Sequence, residues 1–217
     1  MGVQISHIVW DWNGTLLDDL VVVIAAANLS MAEFGVGPID EDGYRDHFTR
    51  PVRSFYDSLF SRPVADDEWD RLNDRFHLEY FSRADDASLT SDTLRALDGA
   101  ETNGWRQSLL SMSPQAWLED IVARKGVAGR FALIDGLRGA TGGLKASHMA
   151  EHLTTLEADP SRTVVVGDTP DDAMAAQHVG AHVVLYDGGS HHLPHLEETG
   201  APVAHSLLQA VEIASQL

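Results

Sequence analysis

Apolar and polar positions follow two different rhythms along this chain, and the change between them predicts its organisation. Ile5 to Trp10 is a short run of strand-favouring apolar residues that breaks off in a polar loop, Asp11-Trp12-Asn13-Gly14-Thr15. From Leu20 to about Phe34 nearly every residue is apolar, and Gly35-Val36-Gly37-Pro38 ends the helix this predicts. Only helical spacing follows, as far as about residue 85. A helix start is expected at Asp40-Glu41-Asp42, a second helix across Phe55-Tyr56 to Phe60, and a third from Asp66 to Arg83. Trp69, Leu72, Phe76 and Tyr80 share one face of the third, a packing periodicity.

From about Leu89 helix and strand alternate. Thr90 to Ala100 reads as a helix and Gln107 to Leu110 as a strand that ends in Ser111-Met112-Ser113-Pro114. A helix from Pro114 to Lys125 precedes a strand at Phe131 to Ile134, then a glycine-rich turn and a helix from Leu144-Lys145 to about Glu157. Thr163 to Val166 is the clearest strand and runs into Gly167-Asp168-Thr169-Pro170-Asp171-Asp172. A helix to His178, strands at His182 to Leu185 and near Pro202-Val203-Ala204, and a closing helix complete the pattern. Such alternation implies right-handed crossovers and an α/β, Rossmann-like parallel sheet with helices on both faces. Residues 1–18 and 86–217 are therefore expected to form the α/β core, with 19–85 as an inserted all-helical subdomain.

Composition narrows the function classes. A chain of 217 residues with 44% hydrophobic content can bury a sizeable core. Its formal net charge of −18 argues against nucleic-acid partners, which require a basic face. The sequence has no cysteine, so thiol catalysis and disulfides are excluded. No apolar run approaches the ~20 residues of a membrane span, and no basic flank precedes the first strand. A cytoplasmic monomer or homodimer is the expectation.

Candidate chemistry lies at the predicted strand ends. In open α/β sheets ligands bind at the carboxyl edge, and Asp11, Ser111 and Asp168 each follow a strand, with Lys145 on a helix start. Two carboxylates from separate strands suit a hard cation such as Mg²⁺, with Asp172 binding it directly or orienting its waters. A hydroxyl, a lysine and helix-start N–H groups suit a phosphoryl group. In that company an Asp can serve as nucleophile.

In these motifs the chain resembles the haloacid dehalogenase-like hydrolase superfamily. Asp11-Trp12-Asn13-Gly14-Thr15-Leu16, Ser111, Lys145 and Gly167 to Asp172 match its four motifs in order, and the helical insertion resembles its cap. Gly-Asp-Thr-Pro with Asp172 is most similar to the phosphoglycolate phosphatase-like branch. The resemblance implies a Mg²⁺-dependent phosphatase acting on a small phosphorylated metabolite through an aspartyl phosphate. Asp11 would be nucleophile and metal ligand, with the backbone carbonyl of Asn13, Asp168 and Asp172 at the metal. Ser111, Met112 and Lys145 would hold the phosphate, and Arg50 or Arg53 of the cap would select the substrate.

One departure from the family pattern matters. Its phosphatases usually carry an Asp two residues after the nucleophile as general acid and base, where this chain has Asn13. An amide exchanges no proton near neutral pH, and general acid–base assistance is typically worth ~10²–10⁴-fold. The expectation is slower turnover, least so for acyl or aryl phosphates, with His47 or Asp171 as stand-in bases. A phospho-ligand-binding or regulatory protein, or a phosphotransferase, is the alternative. The only lysines, Lys125 and Lys145, lie outside the insertion, which disfavours a Schiff-base phosphonate hydrolase. The paired acids at Asp168 and Asp172 disfavour a metal-free dehalogenase. His191, His192 and His195 read as surface loop residues, and Trp10 and Trp12 as wall packing.

Overall fold

The computed structural model describes residues 4–138 and 145–217. The glycine-rich turn after Arg138 and the expected helix start at Leu144 lie outside them. The chain divides into two compact units, Met1–Asp18 with Leu89–Leu217, and Asp19–Ser88.

The first unit is an α/β layer. Its elements in chain order are β1 (His7–Trp10), β2 (Leu17–Asp18), and, from the boundary with the second unit onward, β3 (Ser88–Leu89), α5 (Thr93–Thr102), β4 (Arg106–Pro114), α6 (Gln115–Arg124) and β5 (Ile134–Leu137). Then follow α7 (Lys145–Leu156), β6 (Thr163–Gly167), α8 (Pro170–Val179), β7 (His182–Tyr186), α9 (Leu193–Glu197), β8 (Val203–Ala204) and α10 (Leu207–Ala214). Six strands form one sheet in the order β5-β4-β1-β6-β7-β8, and every neighbouring pair is parallel. Ile8, Val9 and Trp10 are at most 1% exposed, the continuous apolar run of a strand covered on both faces. One face of the sheet is sealed by Val9, Leu110 and Val165 against Met149 and Leu153 of α7.

Strand order places the chemistry. The chain steps from β1 outward through β4 to β5, then returns to the other side of β1 for β6. That reversal is the switch point at which open α/β sheets bind ligands. Trp10 is in register with Leu109 on one side and Val166 on the other, so Asp11 and the residues that follow Leu109 in β4 and Val166 in β6 meet at one edge.

The second unit is helical: α1 (Leu20–Ala32), α2 (Glu41–His47), α3 (Val52–Phe60) and α4 (Asp66–Arg83). Its own core is Leu20, Met31, Tyr44, Phe55, Tyr56, Val64 and Leu72. The Asp40 side chain caps α2 by accepting from Gly43 N–H at 2.9 Å. In the turn before α4, Glu68 accepts the Ala65 N–H at 3.1 Å. No helix among the described residues is long and apolar enough to cross a membrane.

Three elements differ from the sequence expectation. The strand expected at Phe131 to Ile134 is β5, Ile134–Leu137, and it carries a buried Asp135. Asp-Gly at 135–136 has the composition of a turn, but here the carboxylate has partners inside the fold. The strand expected to stop at Leu110 continues to Pro114 through an irregular register against β5. The histidine loop contains α9, and His191 is buried rather than on the surface.

Candidate active site

Asp11 sits one residue beyond β1, its backbone N–H donating to Val166 O at 2.8 Å across to β6. Asp168 sits one residue beyond β6, and Asp172 lies in the first turn of α8. Oxygens of these three buried carboxylates all lie within 4.8 Å of one another. Among the described residues they are the one group of three or more His or acidic side chains gathered closely enough to share a metal ion.

Local sequence explains how the acids pack so tightly. Thr169 caps α8, with Pro170 at the first helical position, where its missing N–H is harmless. Asp172 Oδ2 accepts from Thr169 Oγ1 at 2.7 Å and from its N–H at 3.1 Å, which fixes the carboxylate. Gly167 makes room for it: a Cβ there would lie 2.1 Å from Asp172 Cγ. Asp168 is walled by Gly14 and Gly189, where a Cβ would approach its Oδ2 to 2.5 and 2.2 Å. Ser190 N–H donates to Asp168 Oδ2 at 2.7 Å, and Thr15 Oγ1 to Asp168 Oδ1 at 3.1 Å.

Lys145 enters from the first turn of α7, only 4% exposed. Its Nζ donates to Asp11 Oδ1 and reaches Asp172 Oδ1 at 2.5 Å. Burial works against its charge, but the two carboxylates outweigh burial and hold its pKa above the ordinary lysine value. Asp11 is pushed up to about 7, first by burial, with Asp172 and Asp168 adding to the effect and Lys145 opposing it. Asp168 is pushed up to about 6 by burial and then by Asp172. For Asp172 burial is outweighed by Lys145 and Thr169, and its pKa is lowered. Three buried carboxylates thus face a single ammonium. An excess of hard oxygen donors in a dry site fits a divalent cation of the Mg²⁺ type.

Ser111 and Met112, the residues expected at the phosphate, come from β4. Ser111 is 1% exposed and accepts the Ser113 N–H on its Oγ at 3.1 Å. Ser111 and Ser113 hydroxyls both donate to Asn13 Oδ1, at 3.4 and 2.8 Å. Met112 lies between them on the same strand, half-buried. Asn13 itself is held in the turn after β1, where its backbone bridges to Leu17. Trp10 and Trp12 are fully buried, and Trp10 Nε1 donates to Gln107 Oε1 at 3.0 Å.

Each remaining candidate sits within its own unit. Arg53 belongs to the helical unit, where it donates to Asp66 Oδ1 at 2.7 Å and to the Val64 carbonyl. Arg50 stands in the turn before α3, and His47 pairs its Nδ1 with Ser58 Oγ at 2.8 Å. Asp171 is buried in α8. His191 is buried, and His192 and His195 are more open, with His195 in α9. Sequence reasoning passed over Ser113 and Ser190, which touch Asn13 and Asp168. Ser113 shares the polar tail of β4 with Ser111, a usable signal, whereas Ser190, which reaches Asp168 with its backbone N–H and its side chain, follows no strand and leaves none.

The family model described as haloacid dehalogenase-like hydrolase matches residues 8–186. The phosphoglycolate phosphatase of Caulobacter vibrioides is 27% identical over 214 residues, covering 94% of this chain and 88% of that protein. Among solved structures, a haloacid dehalogenase-like family hydrolase of Streptococcus pneumoniae aligns with a TM-score of 0.82 at 20% identity, over 96% of this chain and 98% of that one. A CbbY mutant from Rhodobacter sphaeroides, in complex with xylulose-(1,5)bisphosphate, aligns with a TM-score of 0.74 at 20% identity, over 95% and 96%.

Proposed function

Because the chain belongs to the haloacid dehalogenase-like hydrolase family and is a phosphatase of its phosphoglycolate phosphatase-like branch, we propose that it hydrolyses a small phosphorylated metabolite through an aspartyl phosphate on Asp11. The observation that carries the reading is the meeting of Asp11, Asp168, Asp172 and Lys145 at the end of adjacent parallel strands.

In the first step an Asp11 carboxylate oxygen attacks phosphorus and the bond to the leaving oxygen breaks. Lys145 favours the ionised, nucleophilic form of Asp11 against the burial that disfavours it, and offsets charge on the phosphoryl oxygens. Ser111, with the backbone at Met112, holds the phosphoryl group. Asn13 orients the leaving oxygen but gives it no proton, so an alkoxide leaving group takes its proton from water. In the second step water attacks phosphorus, inorganic phosphate departs and the Asp11 carboxylate is restored. Asp11, Asp168, Asp172 and the Asn13 backbone carbonyl would hold Mg²⁺, which when bound neutralises charge on the transferring group. Arg50 and Arg53 would choose among substrates, and the reaction would take place in the cytoplasm.

The test is a phosphate-release screen over small phosphate esters, 2-phosphoglycolate and acyl phosphates included, with Mg²⁺ and with chelator. Mg²⁺-dependent release from at least one compound, lost in Asp11→Asn, is expected. Activity that survives Asp11→Asn overturns the nucleophile. Asn13 favours a second reading, a phospho-ligand-binding protein with little turnover. Beryllium fluoride binding with Mg²⁺, but no release from any compound, would select it.

A further inference from the structure

We propose that Asp135, gripped by His148 and His152, is a positioning device that sets the register of α7 and so places Lys145 between its two carboxylates. Residues 145, 148, 149 and 152 follow the i, i+3, i+4, i+7 spacing and share one helix face. Met149 of that face is fully buried in the core beneath the sheet. Lys145 meets Asp11 and Asp172 at one end. Further along, His148 Nε2 lies 3.2 Å and His152 Nδ1 3.0 Å from the same oxygen, Asp135 Oδ2 of β5. Arg138 Nη1 donates to the other oxygen at 3.0 Å. The chain of contacts continues inward, since His152 Nε2 and His7 Nε2 each lie 2.8 Å from Ser108 Oγ.

Apolar contacts alone would hold α7 on the sheet, as Met149 and Leu153 do. Such contacts are non-directional and tolerate a slide or rotation of the helix. A carboxylate shared by two imidazoles one turn apart does not, because both bonds break together. Each residue of slip moves a helix by about 1.5 Å, enough to separate Lys145 Nζ from both acids. Burying Asp135 is costly without partners and is kept with three. Ser108, His152 and Asp135 do follow the hydroxyl–imidazole–carboxylate order of a nucleophilic triad. Ser108 is fully buried and its hydroxyl is already shared by two histidines, so no substrate reaches it and the order serves architecture.

The inference rests on the reading of Lys145 as a phosphate-holding residue, and the experiment separates the two. Binding of inorganic phosphate is measured by calorimetry with Mg²⁺ for the parent, Lys145→Ala, Asp135→Asn and His148→Gln, alongside kcat, KM and thermal midpoint. Asp135→Asn is expected to weaken phosphate binding about ten-fold, equal to about 1.4 kcal/mol, with KM rising in parallel. kcat for an aryl phosphate should fall with it, and less than in Lys145→Ala, because a displaced Lys145 also supports the ionised Asp11 less well. Should Asp135→Asn fail to fold, His148→Gln, which keeps a donor, takes its place; it should weaken binding in the same direction by about three-fold. A lowered midpoint with unchanged phosphate affinity in both variants overturns the positioning role. If Lys145→Ala also leaves affinity unchanged, the reading of Lys145 falls and the inference falls with it. If Lys145→Ala weakens binding and the other two do not, only the positioning role falls.

Discussion

Ser113 donates its hydroxyl to Asn13 Oδ1 at 2.8 Å, and the Ser111 hydroxyl approaches the same oxygen at 3.4 Å. Position 13 is therefore built to offer an oxygen to two donors, and a carboxylate would satisfy both equally well. Asn13→Asp should fit without rearrangement and restore a group able to protonate a leaving alkoxide. Turnover of an alkyl phosphate is expected to rise about ten-fold or more, within the range of general acid–base assistance, and that of an aryl phosphate much less. The ratio of the two rates in parent and variant is the measurement. An unchanged ratio would mean that another group already moves the proton.

Asp11→Asn should separate activity from stability. Removing a nucleophile typically costs about 10³-fold or more in kcat. Yet burial first, and then Asp172 and Asp168, raise the folded pKa of Asp11 from 3.8 to about 7. A raised carboxyl binds more protons folded than unfolded, so its cost is absent below 3.8 and grows as pH rises to about 7. In chelator at neutral pH the variant should melt a few degrees higher than the parent, since about 1 kcal/mol moves a domain of this size by about 2–4 °C. With saturating Mg²⁺ the order should reverse, because the parent gains more from the ion. A midpoint lower than the parent's in chelator would argue that the pairing with Lys145 outweighs the burial of Asp11.

The tight approach of Gly167 to Asp172 gives a steric prediction. A methyl group at 167 would sit 2.1 Å from the Asp172 carboxyl carbon, which is fixed by Thr169 and paired to Lys145. Asp172 must move, and Gly167→Ala should lose most activity together with a few kcal/mol of stability, the scale of overpacking a core. Gly129→Ala is the control, because nothing lies within 4 Å of a Cβ there. Denaturant midpoints and phosphate-release rates for the pair test it; equal behaviour would show that Asp172 yields freely.

The parts legible in the sequence are those where chemistry follows directly on a buried apolar run. Ile8 to Trp10 and Thr163 to Val166 are continuous hydrophobic strands, so Asp11 and Asp168 stand out as the first acids past each. Lys145 was conspicuous through rarity, one of two lysines in the chain. β5 was displaced because Asp135 and Gly136 have turn composition, and nothing local indicates that His148 and His152 will be there to receive the carboxylate. The same blindness hides the Ser108 hydroxyl shared by two histidines, a contact between residues 101 and 44 positions apart. Periodicity reports which side is buried; it carries no information on which polar groups find each other once inside.

His7 supplies a pH prediction. It is 4% exposed, at the start of β1, and its Nε2 meets Ser108 Oγ at 2.8 Å. Burial first, then the electrostatic influence of His152 and of the Arg106 guanidinium, lower its pKa from 6.5 to about 4. A histidine kept neutral by the fold binds fewer protons folded than unfolded between those values. Its contribution is therefore intact above pH 6.5 and is lost progressively as pH falls to about 4. The whole loss is bounded at roughly 3 kcal/mol by the size of the shift. Asp11 and Asp168 respond in the opposite sense over part of the same window, so the parent's stability curve mixes the two. His7→Gln isolates the histidine, since the amide can still donate to Ser108 but does not titrate. Urea unfolding of both proteins in chelator, from pH 7.5 to 4.5, should show the parent losing more stability than the variant on acidification, by about 1–3 kcal/mol. Parallel curves would mean that His7 takes up a proton within the fold as readily as in the unfolded chain, and that the buried chain from Ser108 to Asp135 accepts the charge.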